Sequence, residues 1–135
     1  TLRQRARSFI FSHGLTPGDL NASRACLDAL IDDPSMVTQL GQVATRLREG
    51  LTARGCVVGD HATPIVPVAV GDAVTASEIA AACLGRGLYA PAIRPPTVPA
   101  GTSRLRLSVM ATHTHAHVDE AVEIVASCAE EAGIL

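Results

Sequence analysis

The sequence predicts a small α/β domain in which a short, at least partly antiparallel sheet is covered by helices. Amphipathic helical patterns alternate with short strand patterns along the 135 residues. The chain is 47% hydrophobic but has no Trp, one Tyr and two Phe, so its core must be aliphatic, as is common where helices lie on sheets. At residues 104–109 polar and apolar side chains alternate, as in a strand with one buried face.

The first third of the chain is predicted to be helical. A basic helical start occupies residues 2–12, and a second helix is expected at about 19–31. Asp33-Pro34 is typical of an N-cap followed by Pro at the first helical position, and apolar residues then recur at steps of three and four to about residue 54. We therefore divide the chain into a helical segment, residues 1–33, and an α/β domain, residues 34–135.

The sheet and its connections follow. Strands are predicted at residues 56–58, 65–70, 88–93 and 104–109. Pro67 indicates a sheet edge or a bulge, and Thr75 with Glu78 matches a capping box at the start of a helix. Residues 94–103 are predicted to form a proline-rich loop that holds Thr97 on a stiff extended segment, and Thr114 can cap the last helix.

Charge and composition exclude several classes of function. The net charge is −2, and all 11 basic residues are Arg, without a run of like charge or interleaved aromatic residues. This pattern argues against a nucleic-acid surface. No apolar run reaches transmembrane length, and the four cysteines are widely spaced, so we expect a cytoplasmic protein with reduced thiols and no membrane partner. Because Lys is absent, this chain cannot form a Schiff base through a lysine amine.

Arginines surround the proline-rich loop. Arg94 precedes it, and the alternation of the last strand places Arg104 and Arg106 on one face. A guanidinium matches a carboxylate with two parallel N–H donors, so these residues are candidates for binding acidic groups. The alternative is that they are solvated or paired with Asp or Glu. Alternating histidines could line a strand as metal ligands, but those at 113, 115 and 117 straddle a helix start, so no metal site is expected.

A resemblance adds to this interpretation. Residues 93–107 read IRPPTVPAGTSRLRL and resemble the C-terminal signature of the α-oxoamine synthases, in particular the 8-amino-7-oxononanoate synthases. Relatives with other substrates usually lack Arg-Pro-Pro at its start. Residues 7–12 resemble the segment that follows the cofactor lysine in that family, and residues 111–114 resemble the start of its last helix. The resemblance covers essentially the whole chain, with a looser middle.

The resemblance implies the C-terminal domain of a fold-type-I enzyme that depends on pyridoxal 5'-phosphate and forms a homodimer. Its reaction joins L-alanine to a pimeloyl thioester, of coenzyme A or a carrier protein, with loss of carbon dioxide, a step of biotin biosynthesis. The cofactor lysine would belong to a large domain outside this chain, of which residues 1–33 are the continuation. The chain by itself is then expected to hold no catalytic residue and to be inactive.

The resemblance also implies roles for individual residues. Arg106 corresponds to the arginine that binds the amino-acid carboxylate, and Thr97 to a threonine that contacts substrate; we add that Arg94 holds the carboxylate of the acyl group. Ser12 corresponds to a hydroxyl that reaches the cofactor phosphate of the neighbouring subunit. The family commonly has Thr where this chain has His13, and an imidazole could donate in its place. Relatives also tend to have Leu-Pro-Pro where this chain has Leu15, Thr16 and Pro17.

Two alternatives remain open at the level of sequence. The chain could be a small α/β ligand-binding or dimerisation module that keeps the fold without catalysis. It could also belong to a sister α-oxoamine synthase that uses another amino acid or acyl thioester, although the Arg-Pro-Pro run disfavours this.

Overall fold

The computed structural model describes Arg5 and residues 16–135. Over residues 16–135 the elements, numbered in chain order, are α1 Pro17–Asp32, α2 Ser35–Ala53, β1 Ile65–Gly71, α3 Ala73–Gly85, β2 Ala92–Ile93, β3 Ser103–Ser108 and α4 His115–Glu131. The chain separates into two compact units, Thr1–Pro34 and Ser35–Leu135. No described helix is both long and apolar enough to cross a membrane.

The described part of the first unit is α1. Its N-cap is Thr16, whose hydroxyl oxygen accepts the Asp19 N–H at 3.2 Å, while the Asp19 carboxylate accepts the Thr16 N–H at 3.2 Å. The Thr16 hydroxyl also donates to the Asp19 carboxylate, at 2.8 Å, and this bond, together with the one from the Thr16 N–H, holds the pKa of Asp19 below its ordinary value. This reciprocal cap and Pro17 at the first turn start the helix two residues before the predicted position. No residue of α1 is buried.

The second unit contains one antiparallel sheet with the strand order β1-β3-β2. In β1, Val66 and Val68 lie opposite Leu107 and Leu105 of β3 and are buried with them. Helices α2, α3 and α4 supply the rest of the core, which includes Leu47, Leu51, Ile79, Val118 and Val125. The predicted fold class, a short antiparallel sheet covered by helices, is confirmed.

The predicted strand at residues 56–58 is wrong in extent. Only one bridge forms, between Val58 and Val68. It is flanked by bonds from the Gly59 N–H to the Pro67 carbonyl, at 3.1 Å, and from the Ala69 N–H to the Val57 carbonyl, at 2.8 Å. Pro67 has no N–H with which to extend this ladder, so the pairing stops and β1 is the edge strand, as its proline predicted.

The predicted strand at residues 88–93 is also shortened, to Ala92–Ile93. The Leu88 N–H is already used in closing the end of α3, where it donates to the Cys83 carbonyl at 2.9 Å. Pro91 has no N–H, although its carbonyl accepts from the Arg106 N–H at 3.0 Å. Only two residues are therefore left to pair in full with β3.

The start of α3 corrects a third prediction. Its N-cap is Asp72 and not Thr75, because the Asp72 carboxylate accepts the N–H groups of Val74 and Thr75 at 2.9 and 2.8 Å. The Thr75 hydroxyl also donates to this carboxylate, at 3.0 Å. These bonds lower the pKa of Asp72 below its ordinary value. A charged acceptor at the positive end of a helix is the better cap.

Ion pairs tie the helices together on their outer side. Arg46 of α2 binds Asp119 of α4 through two bonds of 2.9 and 2.8 Å. Arg54, just after α2, pairs with Glu123 and Glu130 of α4, the second at 3.0 Å. Such exposed pairs add little stability individually. They do place the paired arginines and carboxylates on the helical side of the unit.

Candidate functional site

The face of the sheet opposite the helices is the candidate site. Ser103, Leu105 and Leu107 of β3 are buried, so the intervening Arg104, Arg106 and Ser108 point away from the helical core. We call this surface the open face; it comprises Ile65, Pro67 and Ala69 of β1, Ile93 of β2, and Arg104, Arg106 and Ser108 of β3. It presents two guanidinium groups among small and apolar side chains.

The arginines of this region are not neutralised by the described residues. The ion pairs of that part of the chain involve Arg24, Arg46, Arg54 and Arg86. The side chains of Arg94 and Arg106 form neither a hydrogen bond nor an ion pair with a described residue, and the Arg104 side chain donates only through Nε to the Thr102 carbonyl, at 3.1 Å. The sequence left open that Arg94, Arg104 and Arg106 are solvated or are paired with Asp or Glu. Within residues 16–135, none of the three is paired with Asp or Glu.

The distribution of acidic groups explains why. None of the three strands contains Asp or Glu. The described carboxylates of the second unit lie on helices α2, α3 and α4, or in loops, as Asp60 and Asp72 do. Among the described residues of the second unit, no carboxylate compensates the positive charge of the open face, which favours the binding of an anion such as a carboxylate.

The loop 94–103 differs from the extended segment that we predicted for Thr97. The Thr97 N–H donates to the Arg94 carbonyl at 3.0 Å, and the peptide bond between Pro95 and Pro96 is cis, so residues 94–97 form a tight turn. The Thr97 side chain is exposed, and its hydroxyl has no hydrogen-bond partner among the described residues. The turn holds Arg94 and Thr97 close together at the end of β2.

The register of the sheet fixes where the sequence-predicted arginines lie. Ile93 is the cross-strand partner of Arg104, so Arg94 follows at the end of β2 on the side of Ser103, whereas Arg106 lies two residues from Arg104 in the other direction along β3. Arg104 is paired with Ala69 of β1 and lines a cavity of about 590 Å³ with Pro67, Ala69 and His61. Arg94 and Thr97 share one turn, and Arg106 lies on the neighbouring strand.

His61 is not among the sequence-predicted site residues. The structure places it in the lining of the same cavity as Arg104. No local pattern could reveal this, because the two residues are far apart in the chain and approach through the pairing of β1 with β3. Among the described residues, no three His, Cys, Asp or Glu side chains are grouped to hold a metal ion.

Ser12 and His13, the predicted phosphate contacts, lie outside the described residues. The described residues therefore include the predicted substrate contacts, Arg94, Thr97 and Arg106, and not the predicted cofactor contacts.

The fold belongs to a known class. The family "Aminotransferase class I and II" matches residues 1–125, so the chain belongs to that family. Within it, the chain is similar to 8-amino-7-oxononanoate synthases, which confirms the resemblance noted in residues 93–107. It is 43% identical over 137 residues to the enzyme named so from Geobacter sulfurreducens, and 38% identical over 134 residues to a putative one from Acetivibrio thermocellus. These alignments cover 99% of this chain but about a third, 35% and 34%, of those relatives.

Solved structures agree on the fold. A serine palmitoyltransferase from S. paucimobilis superposes with a TM-score of 0.84 at 29% identity, over 99% of this chain and 34% of that one. An 8-amino-7-oxononanoate synthase from Francisella tularensis superposes with a TM-score of 0.73 at 24% identity, over 96% of this chain and 38% of that one. The second likeness shows the fold alone. The expected membership in the fold-type-I enzymes is thereby confirmed.

Proposed function

We propose that this chain is the substrate-binding domain of a pyridoxal-phosphate-dependent 8-amino-7-oxononanoate synthase, which condenses L-alanine with a pimeloyl thioester and releases carbon dioxide. The observation that carries the proposal is Arg106, a guanidinium without a partner among the described residues, on a sheet face whose strands contain no carboxylate. The names of the similar proteins support the choice of reaction.

Arg106 would bind the carboxylate of L-alanine. Its planar fork donates two parallel N–H groups, which fit the two carboxylate oxygens. It is mounted in the middle of β3, between the edge strand β1 and the short strand β2, so its backbone is fixed by pairing on both sides. A group on a paired strand is held more accurately than one on a loop, which suits the orientation of a reacting amino acid.

Arg94 and Thr97 would contact the acyl substrate. A pimeloyl group carries a free carboxylate at its far end, and burying that charge requires a partner such as Arg94. The turn fixes both residues in relation to β2, so the Thr97 hydroxyl can act as an oriented donor or acceptor at little cost in entropy.

The cofactor would supply the electron sink that stabilises the carbanion of the amino acid. The residues of this chain fit the substrate half of such a site: it has arginines for carboxylates but no Lys to link the cofactor. Solved serine palmitoyltransferases of the same fold contain pyridoxal phosphate. We propose that the lysine lies in a larger domain preceding residues 1–33, that Ser12 and His13 reach the phosphate of the neighbouring subunit, and that the enzyme is a cytoplasmic homodimer.

The test uses the complete enzyme loaded with its cofactor. Titration with L-alanine should perturb the absorbance of the bound cofactor, and Arg106→Ala should weaken this binding by about 2 kcal/mol or more, roughly thirtyfold. Arg106→Lys should restore part of the affinity, since it keeps the charge without the fork. The matched control is Arg46→Ala, on the helical side, which should leave L-alanine binding unchanged. A complete protein that binds no pyridoxal phosphate would end the proposal.

A sister enzyme is the second candidate, because serine palmitoyltransferase superposes with the higher TM-score. Comparing L-alanine, glycine and L-serine in the same titration distinguishes the two. A preference for L-serine or glycine would leave the role of Arg106 intact and change the substrate.

A further inference from the structure

The start of α4 is built around two histidines. The Thr114 hydroxyl oxygen accepts the His117 N–H at 3.2 Å, and Nδ1 of His117 accepts the Thr114 N–H at 3.3 Å. In the loop before it, Nδ1 of His113 accepts the Met110 N–H at 3.3 Å, while the His113 N–H donates to the Met110 carbonyl at 3.1 Å. The two rings meet edge to face, with centroids 6.1 Å apart.

Such a cap usually uses a Glu or Gln side chain at the position of His117. A carboxylate or an amide oxygen can accept a hydrogen bond over the whole neutral pH range. An imidazole accepts at Nδ1 only while that nitrogen is unprotonated, and the proton of the neutral ring must then be on Nε2. The hydrogen bonds at His113 and His117 therefore require both rings to be neutral.

Protonation would have two effects on the cap. The backbone N–H groups of Met110 and Thr114 would lose their acceptors and face new N–H donors instead. Positive charge would also appear at the N-terminus of α4, where the aligned peptide dipoles already present positive potential. Both effects oppose the first turn of the helix.

The surrounding charges only partly offset this. On α4 itself the neighbouring groups are His115, Asp119 and Glu120, and the Asp119 carboxylate is occupied by Arg46 of α2. The segment after α3 contributes Arg86, which pairs with Glu131, and Tyr89. These two residues line a cavity of about 360 Å³ together with His113, His117 and Glu120. Among these neighbours, the Glu120 carboxylate forms no ion pair with a described residue, and its charge favours the protonated rings.

We propose that the N-terminus of α4 is a pH-sensitive cap, in which protonation of His117 and His113 releases the first helical turn and the loop 110–114. Because each Nδ1 accepts a backbone N–H only while it carries no proton, the cap is kept where the rings are neutral and is lost as the pH falls. This inference does not depend on the proposed reaction.

Hydrogen exchange of the complete polypeptide, followed by mass spectrometry of peptides that contain residues 110–118, tests it. After correction for the intrinsic exchange rate, protection of this segment should fall about five- to tenfold between about pH 8 and pH 5.5, the loss expected for one helix cap. Protection of the buried part of α2 should stay constant over this range. Equal protection of residues 110–118 at both pH values would overturn the proposal.

Two variants locate the effect. His117→Glu keeps an acceptor at the cap and should remove most of the pH dependence, and His117→Gln should do the same without added charge. His115→Gln is the matched control, because His115 bonds to neither capped N–H, and it should behave as the unmodified protein. Loss of protection at low pH that persists in both His117 variants would contradict the proposal.

Discussion

Pro67 of β1 and Arg106 of β3 are direct cross-strand partners on the open face of the sheet. The pyrrolidine ring therefore stands beside the stem of the guanidinium, and the same proline ends the pairing of β1 with residues 57–59. Pro67 thus prevents a further strand from pairing fully with β1, and it also lies next to Arg106, which is proposed to bind a carboxylate. Because none of the three strands contains Asp or Glu, no carboxylate of the sheet competes with a substrate for Arg106.

Arg94 should decide the preference for acyl groups that end in a carboxylate. In the complete enzyme, Arg94→Gln should raise the KM for a pimeloyl thioester about tenfold or more, because a buried charge loses its partner. The KM for a heptanoyl thioester, which has the same chain length without the carboxylate, should stay the same. Steady-state kinetics with the two thioesters measures this. If the KM rose equally for both thioesters, Arg94 would act on the folding of the site and not on the choice of acyl group.

Gly50 is required by the packing of α2 on α4. A Cβ at this position would lie 2.8 Å from Cγ2 of Val122, so Gly50→Ala should destabilise the protein although Ala is the better helix former. In the same helix a Cβ at Gly41 meets nothing within 4 Å, so Gly41→Ala should stabilise by up to about 1 kcal/mol. Urea denaturation of both variants measures the difference. Stabilisation by both substitutions would contradict the close contact.

The Cys83 thiol should be inert in the folded protein. Burial is the main cause that raises its pKa to about 12, and the neighbouring Cys128 adds to the shift. At pH 8 only about one molecule in ten thousand then carries the reactive thiolate, and the side chain is also inaccessible. Alkylation followed by mass spectrometry should modify Cys83 only after denaturation. Labelling of Cys83 in native protein at the rate found in denaturant would refute the buried position.

Asp72 should make the stability of α3 depend on acid pH. Because the hydrogen bonds from Thr75 and Val74 lower its pKa, the folded state holds the carboxylate charged where the unfolded chain begins to protonate it. The charged Asp72 carboxylate stabilises the folded state at pH values above its pKa in the unfolded chain. This stabilisation is lost as the pH falls through the lower pKa that Asp72 has in the folded state. Asp72→Asn keeps a capping oxygen but does not titrate, so it should flatten the fall in the free energy of unfolding at acid pH. An equally steep fall in Asp72→Asn and in the unmodified protein would contradict this contribution.

Local periodicity was sufficient for the long elements. Apolar residues at steps of three and four predicted α2, and the alternation at residues 104–109 predicted β3 and the shared face of Arg104 and Arg106. Thr114 was recognised as the cap of α4 because its hydroxyl needs only the next turn of the same helix. These features depend on residues within a few positions of each other, so the sequence contains them directly.

Features that depend on competition or on distant partners were not predictable in this way. Thr75 has the pattern of a cap, but Asp72 lies three residues earlier and offers a charged acceptor to the N–H groups of Val74 and Thr75, so the helix begins before Thr75. The prolines of residues 95–99 predicted stiffness at Thr97, but not the turn that closes on Arg94. The strand at residues 56–58 was reduced to one bridge by a proline on the facing strand.

The amino-acid sequence by itself determined the fold class, the family and the residues with the chemistry to bind carboxylates, because periodicity and the run IRPPTVPAGTSRLRL are local properties of the chain. Only the tertiary structure decided which arginines are free. Arg46, Arg54 and Arg86 are neutralised on the helical side, whereas Arg94 and Arg106 meet no carboxylate within residues 16–135. Charge neutralisation depends on which side chains are brought within a few ångströms of each other, and that is set by the pairing of strands and the packing of helices.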